Sequence, residues 1–167
     1  MERVIIIGCG GAGKSTLARK LGERTGLPVV HLDRIWWAPG NWVHLEREEF
    51  DGLLQAEMEK SRWILDGNFN RTLESRLERC DTVIYLDMNR FVCLKNWLGR
   101  VLKNWGHSRP DMGEGCSEWF DPEFASWIWH FNQKNRSRYY ALLEGLEGKQ
   151  VYILKSRRQV KRFLQNL

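Results

Sequence analysis

The sequence predicts a three-layer α/β/α fold around a five-stranded parallel sheet, and two observations predict it. Five short apolar runs, Val4–Ile7, Val29–Leu32, Trp63–Leu65, Val83–Leu86 and Val151–Leu154, are separated by longer segments with apolar residues at helical spacing. Alternation of this kind gives βαβ units whose strands lie parallel in one sheet. The first run, rich in β-branched residues like a buried parallel strand, then breaks into glycines and re-forms as a helical pattern through Leu17, Ala18 and Leu21.

That break reads Gly8-Cys9-Gly10-Gly11-Ala12-Gly13-Lys14-Ser15-Thr16: Gly, four residues, then Gly-Lys-Ser. Phosphate requires a concave loop with inward-pointing backbone N–H groups, and the four glycines of this loop permit positive φ and close approach. The helix that follows adds unpaired amides and the positive end of its dipole. A strand, such a loop and a helix make a P-loop, predicted to hold ATP through Gly8, Gly10, Gly11, Ala12, Gly13, Lys14, Ser15 and Thr16. Lys14 reaches the β/γ-phosphates and the Ser15 hydroxyl ligates Mg²⁺. Cys9 occupies a variable position and is read as a tolerated small residue.

Later elements follow in order. Thr25-Gly26-Leu27-Pro28 stops the first helix, and strand Val29–Leu32 delivers Asp33 to the sheet rim that carries the P-loop. Trp36-Trp37-Ala38-Pro39-Gly40-Asn41-Trp42 is expected to be an irregular loop forming an acceptor-pocket wall. From Leu45 to Met58, with Phe50, Leu53, Leu54 and Met58 as its core stripe and Glu46, Glu48 and Glu49 in its first turn, the chain reads as a helix. Strands three and four each end in a carboxylate, Asp66 and Asp87, and either has the setting needed to hold Mg²⁺ opposite Ser15.

Arg90 to Trp105 is predicted as a helix whose apolar face is Phe91, Leu94, Leu98, Val101, Leu102 and Trp105. Gly106–Cys116 is too rich in turn residues to continue it and reads as a lid. Asp121-Pro122 restarts a helix with a capping carboxylate and Pro at its first position, running to about Leu143. After the fifth strand the tail from Ser156 forms a last helix.

Composition bounds the function. With 167 residues and 43% hydrophobic content the chain makes one domain, residues 1–167, with residues 100–120 as its lid. Met1-Glu2-Arg3 leads straight into the first strand and no apolar stretch reaches membrane length, so a cytoplasmic protein is expected. Cys9, Cys80, Cys93 and Cys116 form no Cys-x-x-Cys pair, and His31, His44, His107 and His130 show no ligand spacing, which argues against zinc and a disulfide framework. The net charge of +5 is uneven: basic from Arg90 to Arg109, acidic from Asp111 to Glu123, basic again from Lys149. Such charge attracts phosphate of any kind. The nine tryptophans are expected mainly in the core or along a cleft.

With these motifs the chain resembles the adenylate-kinase-like group of small P-loop kinases over nearly its whole length. More narrowly, His31-Leu32-Asp33, Trp63-Ile64-Leu65-Asp66-Gly67-Asn68, Arg109–Cys116 and Trp127-Ile128-Trp129 resemble the bacterial DNA topology modulation (FlaR-like) proteins. The resemblance implies a P-loop NTPase fold with a helical lid and a sheet in which strand three lies beside the P-loop strand, which makes Asp66 the first choice for the metal and Asp87 the second. It further implies that Asp33 binds or activates the acceptor and that Arg100 and Arg109 close over the phosphates. Arg136 and Arg138 would neutralise the transferring group, and the Ser156-Arg157 turn would hold adenine. Where adenylate kinases continue Asp-Gly with Phe-Pro-Arg, this chain has Asn68-Phe69-Asn70 before Arg71, which leaves a nucleoside-monophosphate arginine in doubt.

Two functions are thereby expected. The first is a Mg²⁺-dependent phosphotransferase moving the ATP γ-phosphoryl to a small nucleotide-like or hydroxylated acceptor. The alternative is an ATP-switched nucleic-acid-binding protein affecting DNA topology, suggested by the basic segments and tryptophans.

Overall fold

The computed structural model describes all residues, Met1–Leu167. Its strands are β1 (Arg3–Gly8), β2 (Val29–His31), β3 (Trp63–Asp66), β4 (Thr82–Leu86) and β5 (Gln150–Leu154). Its helices are α1 (Lys14–Thr25), α2 (Leu32–Trp36), α3 (Arg47–Met58), α4 (Leu73–Arg79), α5 (Arg90–Lys103), α6 (Pro122–Glu144) and α7 (Arg157–Gln165), with a 3₁₀ turn at Asn70–Thr72. The five strands form one parallel sheet, as the sequence predicts, and its order is β2-β3-β1-β4-β5, with β3 beside β1 as the resemblance implies.

The order explains the composition of the strands. β1 lies at the centre, hydrogen-bonded to β3 and β4, so Val4 to Ile7 are buried on both faces. β2 and β5, at the edges, are mostly half-buried. Connections that run left and right from β1 use opposite faces if each crossover is right-handed. Hence α1, which packs with α7, covers one face and α3, α4 and α6 the other. Each helix inserts its own stripe, among them Leu17, Ala18 and Leu21 of α1 and Ile128, Phe131 and Tyr139 of α6. Burying a large apolar side chain contributes roughly 1.5–3 kcal/mol, and the sheet is clamped by many of them.

Local signals placed the helix ends. Asp121 Oδ1 accepts from the N–H groups of Glu123 and Phe124, with Pro122 in the first turn of α6. Ser156 Oγ accepts from Gln159 N–H at the start of α7. Gly26 closes α1 in the left-handed region at φ 69°.

Four expectations are corrected. Leu32, expected to end β2, opens α2 together with the following Asp33, and α2 also takes in Trp36 of the expected loop; a five-residue helix is too short for the apolar period to announce. Leu53 is 46% exposed, because the core stripe of α3 narrows to Phe50, Leu54 and Met58. In α5 the buried stripe is Cys93, Trp97 and Val101, whereas Phe91, Leu98, Leu102 and Trp105 are exposed. The helix carries two apolar stripes and only packing selects between them. The expected helical lid is helical in its first turn alone, Arg100–Lys103; beyond it the backbone is held by isolated bridges Trp105↔Glu118 and Ser108↔Ser117.

One buried cation fixes the loop that follows β3. Arg76 of α4 is fully buried and donates to the carbonyls of Gly67 (2.9 Å), Phe69 (3.0 Å) and Thr72 (3.3 Å), and also to that of Asn68. Burial lowers its pKa to about 10. Each buried carbonyl left without a donor costs about 1–3 kcal/mol. Arg76→Ala is therefore expected to destabilise the protein by at least ~3 kcal/mol in urea unfolding; a loss below ~1 kcal/mol would show that water replaces the guanidinium.

No helix is long and apolar enough to cross a membrane. All four cysteines are buried free thiols.

Candidate active site

A cleft of about 1700 Å³ opens along the carboxyl ends of the strands. Its floor is the loop between β1 and α1, and Gly10, Gly11, Ala12, Gly13, Lys14, Ser15 and Thr16 all line it. Gly13, at φ 97°, precedes α1, and no side chain caps the helix, so its first amides stay available to an anion. Gly8 lies beneath the floor, where its N–H donates to Asn68 Oδ1 at 3.0 Å. Lys14 Nζ donates to Cys9 O at 3.1 Å, which folds the ammonium over the loop. The Cys9 thiol is pushed up by a hydrogen bond with Cys93 and by burial, consistent with a packing role.

Gly11 is where the loop tolerates no side chain. Its φ is +75°, and an added Cβ would stand 2.2 Å from Cys93 O of α5, whose position the Asn96 amide fixes by donating to Gly11 O. Gly11→Ala is expected to cost at least ~1 kcal/mol from the left-handed backbone alone. The displaced loop should weaken ATP binding more than tenfold by calorimetry, and wild-type affinity in a folded G11A protein would contradict the assignment of this loop.

Asp33, in the first turn of α2, enters the cleft beside the floor. It is exposed to solvent along the cleft, with the cleft walls packed around it. That crowding raises its pKa, against the opposing pull of Lys14 and with Asp66 adding to the rise. Asp66 lies behind it, 4% exposed, paired across β2 and β3 with His31, whose Nδ1 is 2.7 Å from Asp66 Oδ2. Asp66 Oδ1 is buried without a partner. Asp87 is engaged differently, its Oδ2 accepting from Arg136 Nη2 at 2.9 Å and Tyr140 Oη at 2.9 Å. A Mg²⁺ ion with bound water would find a cleft hydroxyl in Ser15, which also bonds Asp111, and an unused oxygen on Asp66 just behind the cleft wall, so these residues fit the metal; Asp87, also outside the wall, carries Arg136 and Tyr140 on its Oδ2. No three or more His, Cys, Asp or Glu residues come together in a group that could hold a metal ion by themselves.

The lid contributes more than its two predicted arginines. Arg109 reaches Asp111 Oδ2 at 2.8 Å and Glu118 Oε1 at 2.5 Å, and Arg100 Nε stands 3.1 Å from the same Glu118 oxygen. Burial works to raise the Asp111 carboxyl, but Arg109 and a hydrogen bond with Ser15 hold it below the ordinary range. Burial and the adjoining Arg109 lower Arg100. Glycines seat the lid on the tryptophan loop: Asn41 N–H donates to Glu114 O at 2.9 Å, and Gly113 touches Trp37 so closely that a Cβ would lie 1.8 Å from its carbonyl oxygen.

Sequence reasoning missed His31, Asp111 and Glu118. His31 has no ligand spacing in the sequence, and its partner is visible only in the β2–β3 register. The acidic run Asp111–Glu123 facing a basic stretch was a readable signal for the other two.

The remaining predictions separate. Arg157 lines the cleft and contacts Asn96 Oδ1, whereas Ser156 caps α7 and is not part of the wall. Arg136 is held on Asp87, and Arg138, two residues on along α6, is exposed; neither lines the cleft. Arg71 forms a two-point pair with Asp51 at 2.5 and 2.7 Å outside the cleft. Trp36, Trp37, Trp42, Trp97, Trp119 and Trp127 all line the cleft, and Trp63 is in the core. So the expected wall Trp36, Trp37 and Trp42 is present, joined by Trp119 at 5.0 Å from Trp42.

No family model matches this chain, and no curated protein sequence matches it. Among solved structures it is similar to shikimate kinase from Bacteroides thetaiotaomicron, with 18% identity and a TM-score of 0.59 over 99% of this chain and 95% of that one. It is also similar to shikimate kinase from Acinetobacter baumannii in complex with shikimate, with 15% identity and a TM-score of 0.60 over 99% and 90%. The fold is that of a P-loop kinase. At this identity the likeness establishes the fold alone, and the likeness to DNA topology modulation proteins rests on sequence motifs.

Proposed function

We propose that this chain is an ATP-dependent phosphotransferase that moves the γ-phosphoryl group to a hydroxyl of a small acceptor. One observation carries the reading: a single cleft holds an uncapped glycine-rich helix N-terminus with Lys14, a carboxylate at Asp33 and an aromatic wall, under an arginine-bearing lid. Phosphoryl transfer asks a protein mainly to position two substrates and neutralise charge, and the parts are of that kind.

In this reading Gly10–Thr16 cradle the donor phosphates, and Lys14 balances their charge. Asp33 accepts the hydroxyl proton of the acceptor, a task its raised pKa suits. Ser15 and Asp66 hold Mg²⁺ and its water, and when bound the metal neutralises the β- and γ-oxygens. Arg100 and Arg109 complete the charge balance from the lid, residues 100–120, which serves a single domain of residues 1–167. Arg157 borders the adenine end. Arg136 acts through Asp87, and Arg138 has no part in the cleft.

More than half of the charge that also suited nucleic acid borders the cleft: Lys95, Arg100, Lys103, Arg109, Arg157 and Lys161 line it. That distribution favours the enzyme over the nucleic-acid reading. The test is ATP consumption in a metabolite extract with purified protein or its Lys14→Ala variant. A metabolite phosphorylated only by the wild type supports the proposal, and equal consumption by both proteins refutes it.

A further inference from the structure

Resting on that reading of the site, the geometry points to an uncharged acceptor with a planar ring and free hydroxyls, a nucleoside, and not to a phosphomonoester or a carboxylate. The argument is a census of cations in the acceptor half of the cleft. Asp33 marks this half, walled by Trp36, Trp37, Trp42, Phe69 and Trp119. These rings touch one another edge to face, Trp36 on Phe69 at 5.9 Å and Trp37 on Trp42 at 5.3 Å. Such surfaces suit a flat heterocycle.

Every guanidinium that could receive an acceptor anion here is already committed. Arg109 is held between Asp111 and Glu118, and Arg100 shares Glu118. Arg71, at the place where a monophosphate clamp was in question, is turned onto Asp51 outside the cleft. Arg136 is bound to Asp87, and Arg34 lines a separate, smaller cavity. The cleft cations without a carboxylate partner, Lys14, Arg19, Lys20 and Arg24 of α1, Lys95 and Lys103 of α5, and Arg157 and Lys161 of α7, all belong to the helices on the donor side, and the one among them that acts on Asp33, Lys14, is taken by the donor phosphates in this reading.

A phosphate or carboxylate on the acceptor would instead meet Asp33, Asp111 and Glu118. Burying a charge without a partner is costly, so a site built for an anionic acceptor keeps a free cation there. This site keeps none, and it differs in that respect from what a bound carboxylate such as shikimate would need.

The step balances simply. The nucleoside hydroxyl oxygen bonds to the γ-phosphorus as the bond from that phosphorus to the β,γ-bridging oxygen breaks, ADP leaves with the bond's electron pair, and the hydroxyl proton passes to Asp33 and then to solvent.

The experiment is a tryptophan-fluorescence titration of the full chain with Mg²⁺ and a non-hydrolysable ATP analogue. The probes are adenosine, guanosine, cytidine, uridine and thymidine, their 5′-monophosphates, ribose and shikimate. At least one nucleoside should bind at least tenfold more tightly than its own monophosphate, with no saturable response to ribose or shikimate. Glu118→Gln, which frees Arg100 and leaves Arg109 on Asp111 alone, should shift the nucleoside-to-monophosphate preference by about tenfold toward the monophosphate. Tighter binding of a monophosphate or of shikimate by the wild type overturns the inference, as does binding of the ATP analogue with no response to any nucleoside; both outcomes leave the phosphotransferase reading standing. Failure to bind the ATP analogue overturns both.

Discussion

Lys14→Ala protein is expected to fold normally and to turn over at least ~10²–10³-fold more slowly than wild type, the loss found when one preorganised charge-stabilising donor is removed. The two halves of that expectation have separate causes. Lys14 is half-exposed at the cleft floor, and its ammonium makes one hydrogen bond within the protein, to Cys9 O at 3.1 Å. Little of the fold depends on that contact, so the melting temperature should move by no more than a degree or two, roughly 0.5 kcal/mol. The phosphates, in contrast, lose the cation nearest the charge that develops in transfer. Steady-state kinetics alongside a thermal melt makes the check, and an unchanged rate in a folded variant removes Lys14 from the mechanism.

Asp33→Asn should lose activity and gain stability together. As proton acceptor its carboxylate contributes about 10²–10⁴-fold, which the amide cannot supply. The stability change follows from linkage. A carboxyl whose folded pKa lies above its unfolded value binds a proton more readily in the native state, so the charged form opposes folding at neutral pH. That penalty fades as pH falls through the raised pKa. The variant should therefore melt higher than wild type at pH 7, with the difference shrinking in acid, and solvent entering the cleft keeps it modest. A D33N protein less stable than wild type at pH 7 would mean that Lys14 and Arg109 outweigh burial at this carboxylate. For wild type, the acid limb of kcat/KM should lie above the ordinary carboxylate range.

Stability gained when a functional group is neutralised is the usual sign of an active site held against its own preference. The same logic separates Asp33 from Asp87. Asp87 is more deeply buried, at 5% exposure, but is met by Arg136 and Tyr140, an arrangement that satisfies a charge and leaves it little to do elsewhere.

How legible each feature was depends on the range of the interaction behind it. The glycine loop, the apolar strands, the Asp121-Pro122 start of α6 and the Ser156 cap of α7 are each settled within a few residues, because backbone torsions and helix-end hydrogen bonds act at that range. Two α5 stripes compete on one helix, Cys93-Trp97-Val101 and Phe91-Leu98-Leu102, and sequence cannot choose between them, since both satisfy the same period.

By itself, the sequence determined the order of strands and helices, the glycine-rich loop between β1 and α1, and the delivery of Asp33 and Asp66 to one rim of the sheet. Only the tertiary structure decided which charges are free. His31 meets Asp66 across two strands, Arg71 meets Asp51, Arg136 meets Asp87, and Glu118 gathers Arg100 and Arg109. A charge acts through space on whatever the fold brings within a few ångströms, and distance along the chain carries no record of that.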